Sequence, residues 1–148
     1  MEKYLKKHLF KGTFHNVPQK TSNTMSRIRG KNNKTTELKF KMYLIRNGIS
    51  GFILNSKDLP GKPDFYFSKS NIAIFIDGCF WHGCPKCGHI PKTRSSFWKE
   101  KINRNKKRDK KFTRQLKNKG IHVIRLWEHQ LNNKVYLENL IQKLRNQV

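Results

Sequence analysis

Apolar residues along this chain fall into two rhythms. Phe52-Ile53-Leu54, Asp64-Phe65-Tyr66-Phe67 and Ile72-Ala73-Ile74-Phe75-Ile76-Asp77 are short runs rich in β-branched and aromatic residues and bounded by turn residues. They read as strands, the last of them buried. Ser68-Lys69-Ser70-Asn71 is a four-residue turn that joins the second and third runs into a hairpin. Ile121–Trp127 is a fourth strand. The other rhythm is a spacing of three and four. A first helix starts at Thr35-Thr36-Glu37, with Thr35 or Asn33 as cap and Glu37 complementing the helix dipole. Leu38, Met42 and Ile45 give it an inward face, Tyr43 and Leu44 widen that face, and Gly48 ends the helix. A second helix, about 97–118, is capped by Ser95 or Ser96 and stopped by Gly120. Its inward stripe is Trp98, Ile102, Asn105, Asp109, Phe112 and Leu116. Val135, Leu137, Leu140, Ile141 and Leu144 mark a closing helix. The order of helix, three strands, helix, strand, helix predicts an α/β fold with a mixed sheet flanked by helices. The strand after the long helix runs parallel to an earlier one, because a long crossover permits that pairing.

The informative polar residues are those that interrupt these patterns. Asp109 lies on the core face of a Lys- and Arg-rich helix, where Leu would pack better, so it needs a partner. Asp64 opens a strand after Pro60-Gly61-Lys62-Pro63, and the hairpin brings it near Asp77 or the carbonyls beside Asp77. All three cysteines fall in Cys79-x4-Cys84-x2-Cys87, directly after the buried strand. Clustered cysteines at this spacing point to zinc, with His82, His89, His122 or His129 as fourth ligand. A closed site of that kind is structural, since no position is left for water. Phe80 and Trp81, inside the same loop, either pack down on the sheet or stand out as an apolar wedge for DNA, and the residues themselves favour packing.

Charge narrows the field of partners. In 148 residues, Lys and Arg number 33 against 9 Asp and Glu, a net charge of +24. Such an excess opposes compaction and is explained most simply by a polyanion, with nucleic acid ahead of a membrane surface. No apolar run is long enough to span a bilayer, and the start has no apolar signal segment, so a cytoplasmic, nucleoid-associated protein is expected. Residues 1–22 read as a basic N-terminal arm, and 23–148 as one domain. Arg27, Arg29 and Lys31 alternate in a way that lines one side of an extended segment, as phosphate contacts would.

Several separated motifs, in order, resemble the very short patch repair (Vsr) endonucleases, a family of DNA mismatch nickases. They are Met25-Ser26-Arg27-Ile28-Arg29-Gly30-Lys31, Thr36-Glu37-Leu38, Asp58-Leu59-Pro60-Gly61-Lys62-Pro63-Asp64, Phe75 through Pro85, Phe97-Trp98, Lys101-Ile102, Asn105, Arg108-Asp109 and Val123 through His129. The resemblance implies a restriction-endonuclease-like fold of the PD-(D/E)xK type carrying a structural zinc loop. It implies Mg2+-dependent nicking 5′ to the T of a T:G mismatch left by deamination of 5-methylcytosine. The implied Mg2+ ligands are Asp64 and the backbone carbonyl of Ile76. The implied base is His82, with Glu37 and Asp109 as supporting groups. Asp77 stands where some relatives carry histidine and is a further catalytic candidate. The lysine that the wider superfamily places two residues after the second acid is not present here, so the base role passes to His82. Cys79, Cys84, Cys87 and His129 are the implied Zn2+ ligands. Met25, Phe80 and Trp81 are the implied wedge beside the mismatch. The implied partner is double-stranded DNA with a T:G mismatch, bound by a monomer, with general mismatch-repair proteins as further partners. Three other readings fit the residues: a restriction enzyme of the same fold, a zinc-containing DNA-binding module without catalysis, and a basic structural protein bound to ribosomal RNA.

Overall fold

The computed structural model of the chain describes residues 36–148. The arm 1–22, the segment with Met25, Arg27, Arg29 and Lys31, and the cap positions Asn33 and Thr35 lie outside the described residues. The described elements are α1 (Thr36–Arg46), β1 (Phe52–Leu54), β2 (Phe65–Phe67), β3 (Ile72–Asp77), α2 (Ser95–Asn118), β4 (His122–Trp127), a 3-10 helix (Glu128–Asn132) and α3 (Lys134–Arg145). The strands form one mixed sheet in the order β1-β2-β3-β4. β1, β2 and β3 pair antiparallel, whereas β3 and β4 pair parallel, with Ile72 opposite His122 and Asp77 opposite Trp127.

Strand alternation sorts the side chains into two cores. Phe65, Phe67, Ile72, Ile74 and Leu126 bury one face of the sheet against Phe40 and Leu44 of α1, Leu131 of the 3-10 helix, and Leu137, Leu140, Ile141 and Leu144 of α3. Ala73 and Phe75 bury the opposite face with Leu116 of α2 and Ile121. The sheet is thus sandwiched, and among the described helices it is α2 that covers the face toward which Asp77 and Arg125 point. The end of α2 is a helix stop with both of its characteristic bonds: Gly120 N–H to Lys117 O at 3.0 Å and Ile121 N–H to Leu116 O at 3.1 Å. Gly120 supplies the positive φ of 75° that this reversal needs, and Ile121 then packs on Leu116.

Several expectations are corrected. Leu38, Met42 and Ile45 are not the inward face of α1; they are 50%, 39% and 49% exposed, and Phe40 and Leu44 are buried instead. The ring of Phe40 decides this, standing edge-on to Phe65 at 5.2 Å, while Phe65 also meets Phe52 at 5.3 Å. An aromatic fit to β2 outweighs a larger count of aliphatic residues. α2 begins at Ser95, with Arg94 before it in the left-handed region and no side-chain cap, so neither Ser95 nor Ser96 caps it. Phe97 joins its buried positions. Val135 is exposed in the first turn of α3, which is capped by Asn133 accepting from Tyr136 N–H at 3.0 Å. The 3-10 helix was not expected from the sequence pattern.

Two substitutions separate the two faces of α1. Phe65→Ala is expected to cost about 3–5 kcal/mol in urea unfolding, whereas Leu38→Ala stays within about 0.5 kcal/mol.

Candidate active site and metal centre

The parallel register brings two loops to one place. Asp77 and Trp127 share a rung, so the chain leaves β3 and β4 at the same height. Two residues past the end of each strand stand Cys79 and His129, with Cys79 Sγ 3.2 Å from His129 Nδ1. Cys84 and Cys87 come to 3.7 and 3.4 Å from the same nitrogen, and to 3.6 Å from each other. A tetrahedral ion with bonds of about 2.3 Å to sulfur and about 2.0 Å to nitrogen holds its ligands roughly 3.5–3.8 Å apart. The four side chains fit such an ion. Hydrogen bonding to Cys79, desolvation and the neighbouring Cys84 push the Cys87 thiol up to about 12, a shift that a cation bound there would oppose. The other histidines considered for this site stand elsewhere: His122 is at the far end of β4, His89 packs on Phe80 at 5.6 Å, and His82 has a different partner.

The cysteine loop is pressed onto α2. A Cβ on Gly83, whose φ is 62°, would lie 2.5 Å from Lys106 Cε and 2.6 Å from Ile102 Cγ2, so only glycine allows this approach. Asn105 donates to the carbonyl of Trp81 at 2.8 Å. One helical turn further on, Asp109 Oδ2 lies 2.6 Å from His82 Nδ1. Burial works to raise the Asp109 carboxyl, but the His82 hydrogen bond and the charges of His82, Arg125 and Arg108 hold it below the usual carboxylate range. An ionised Asp109 only accepts, so Nδ1 carries a proton, and in the neutral imidazole the lone pair is then on Nε2.

Asp77 is buried, with Arg125 Nε donating to Oδ2 at 2.7 Å and Nη2 to Oδ1 at 2.6 Å. His82 Nδ1 lies 3.6 Å from Asp77. Asp64 stands one strand over, accepting from Ile76 N–H at 2.7 Å. Burial first, then the charges of Glu37 and Asp77, push its carboxyl up to about 6 against the Ile76 bond and Arg125. Asp64 therefore lies in a negative field that a divalent cation would relieve.

Phe80 and Trp81 are half-buried, and they stack edge-on at 5.1 Å. Trp98 of α2 meets Phe80 at 5.2 Å and Trp81 at 5.9 Å, and Lys101 Nζ lies 5.6 Å from the Trp81 ring. They form a supported aromatic ridge, packed underneath and partly open above.

The structure thus brings His82, Asp109 and Asp77 into one cluster, with a hydrogen bond from His82 to Asp109 and Asp77 3.6 Å from the imidazole, and sets Asp64, Glu37 and Asp77 close enough to repel. It gathers Cys79, Cys84, Cys87 and His129 into a second group. Arg125 was missed by sequence reasoning. Its signal was a lone arginine two residues after Val123, hence on an inward position of an otherwise apolar strand.

A histidine–carboxylate pair near a carboxyl that its neighbours Glu37 and Asp77 push up, on a strongly basic chain, is a donor set suited to work on an anionic polymer. Comparison with known proteins identifies which. Residues 14–89 match the family model for DNA mismatch endonuclease Vsr, and the chain belongs to that family. It is 39% identical over 127 residues to the type II nicking enzyme V.NmeAIP of Neisseria meningitidis, covering 84% of this chain and 89% of that protein. It is 35% identical to the type II nicking enzyme V.XorIIP of Xanthomonas oryzae, covering 87% and 92%. It is 37% identical to the DNA mismatch endonuclease Vsr of Escherichia coli, over 63% and 62%. The chain is a DNA endonuclease of the Vsr family. Among its described residues, no helix is long and apolar enough to cross a membrane.

Two predictions follow from the charges. The proton that Asp64 gains on folding stabilises the fold fully below pH 3.8, and that stability is lost as pH rises through about 6. Asp64→Asn is therefore expected to raise stability by ~1–3 kcal/mol at pH 7.5 in Mg2+-free buffer, with the gain vanishing near pH 4, as read by melts across pH. Cys84→Ser is expected to lower the bound-metal content of the purified chain, measured by elemental analysis, together with a lower melting temperature.

Proposed function

We propose that this protein nicks one strand of duplex DNA 5′ to the T of a T:G mismatch arising from deaminated 5-methylcytosine, in a Mg2+-dependent hydrolysis. The observation that carries the reading is the 2.6 Å bond between His82 and Asp109, linked to Asp64 through the charge of Asp77, in a member of a mismatch-endonuclease family. The names of the relatives favour nicking over a double-strand cut. The mixed sheet with its acid-bearing hairpin supports a restriction-endonuclease-like fold of the PD-(D/E)xK type.

Asp64 and the carbonyl of Ile76 would hold the Mg2+, with Glu37 adding to the field. When bound, the ion supplies positive charge to the attacked phosphate and the departing 3′ oxygen. His82 Nε2 takes the proton of the attacking water, while Asp109 fixes the tautomer that makes this nitrogen basic. Asp77 keeps the imidazole flanked by negative charge. In-line attack leaves a 5′ phosphate and a 3′ hydroxyl. Cys79, Cys84, Cys87 and His129 would hold Zn2+ as a structural clasp that stiffens the ridge of Phe80 and Trp81. That ridge, with Met25, wedges beside the mispair, where stacking is already weak. Arg27, Arg29, Lys31 and the basic face of α2 hold phosphates. The enzyme acts as a monomer, with general mismatch-repair proteins as further partners.

A nicking assay on strand-labelled oligonucleotide duplexes tests this. The T strand of the T:G duplex is expected to be cut and the matched duplex spared, with no product until Mg2+ is added. His82→Ala is expected to lose about 10²–10⁴-fold in rate while still binding the duplex. Equal cutting of matched DNA, or cutting unaffected by His82→Ala, overturns the reading.

A further inference from the structure

Asp77, His82 and Asp109 present ligand atoms within 4.8 Å of one another, which is a donor set suited to a divalent metal. A metal there would take His82 as a ligand. Yet this group already has a cation. Arg125 grips Asp77 with two short bonds, and its Nη2 also lies 3.3 Å from Asp109 Oδ1. Its Nη1 reaches Thr113 Oγ1 at 3.4 Å, and its flat face lies over the Phe75 ring at 4.6 Å. The planar fork is used on three sides and one face, so the guanidinium is not held out toward a phosphate. Both carboxylates it touches are those that flank the imidazole.

We propose that Arg125 is a positioning residue: its guanidinium bridges Asp77 and Asp109 as a built-in cation, so that divalent ions are kept out of this cluster and His82 stays a base rather than becoming a ligand. The bridge confines the catalytic ion to the Asp64 side of the site. It also fixes Asp109 from the side opposite His82, which holds the imidazole in one orientation. Lysine, a point charge, reaches one carboxylate and not both. This inference rests on the hydrolytic role given above to His82.

The test uses the full chain with its cysteine site loaded. Arg125→Gln is expected to lower kcat for T-strand nicking roughly 10–100-fold, as loss of an orienting partner does. KM for the duplex should stay within about twofold and the salt dependence should not change, because no phosphate contact is removed. Added Ni2+ should inhibit Arg125→Gln at concentrations about tenfold or more below those that affect the native chain. Arg125→Lys is expected to fall between the two in both readouts. Native kcat with unchanged Ni2+ tolerance in Arg125→Gln overturns the proposal, as does a loss confined to KM with a shallower salt slope. Removing one partner of a buried ion pair can unfold a chain. If Arg125→Gln does not fold, Arg125→Lys and the native protein decide. Arg125→Lys indistinguishable from native in kcat and Ni2+ tolerance, or selective broadening of the native His82 resonances by Ni2+, overturns it equally. His82→Ala run alongside separates the two readings. If His82→Ala nicks at the native rate, the hydrolytic reading itself has failed. If it is inactive while Arg125→Gln behaves as native, only the bridge has failed.

Discussion

The parallel pairing of β3 with β4 is the constraint on which the rest depends. Its register puts Asp77 and Trp127 on one rung, and both strands then release their chains at the same edge of the sheet. The cysteine loop leaves one strand and the 3-10 helix leaves the other, so three thiols and His129 converge without any long excursion. The same pairing sets Arg125 beside Phe75 and within reach of Asp77. A slip of one residue would turn Arg125 toward the apolar core against α1 and α3, and would carry His129 away from Cys79. The buried apolar faces of the two strands resist such a slip, since Ile72, Ile74 and Leu126 on one side and Ala73 on the other are all nearly inaccessible.

On that edge the charges sort into two groups. Asp77, Asp109 and Arg125 close on themselves around the imidazole of His82. Asp64, on the neighbouring strand, is left facing Glu37 and Asp77 with a carboxyl raised to about 6. A chain with a net charge of +24 has many cations to offer, yet burial, Glu37 and Asp77 still outweigh the pull of Arg125 at Asp64. Such local frustration belongs with function, because the fold alone gains nothing from a carboxylate held there.

Much of the fold was legible because it follows from alternation. Strand identities, the hairpin, the parallel fourth strand and the helix stops at Gly48 and Gly120 all come from local pattern. The inward face of α1 did not, because Leu38, Met42 and Ile45 form a regular stripe whose burial is decided by a ring on another element, Phe65. At the site, Asp109 announced itself as an acid on a core face, and the cysteine spacing announced a cluster that could hold a metal. The choice among four histidines was not legible from spacing, since it depends on the register of two strands. Arg125 escaped for a related reason. An arginine near a strand end looks like a solvated charge until the partners across the sheet and on α2 are in place.

The aromatic ridge joins these threads. Phe80 and Trp81 rest on Trp98, their loop is tied to α2 by Asn105, and Gly83 lets the backbone sit directly on the helix. His82 is the next residue after Trp81, so the element available to touch a base pair and the imidazole available to activate water share one short, clamped segment. A wedge that enters a weak mispair fully would thereby set the distance from His82 to the backbone beside it. A wedge held off by a stacked, matched pair would leave the imidazole short of its phosphate. Under the proposed function, discrimination between damaged and intact DNA and the geometry of hydrolysis would become one mechanical event, and the stiffness of the cysteine cluster would limit how loosely the two can be coupled.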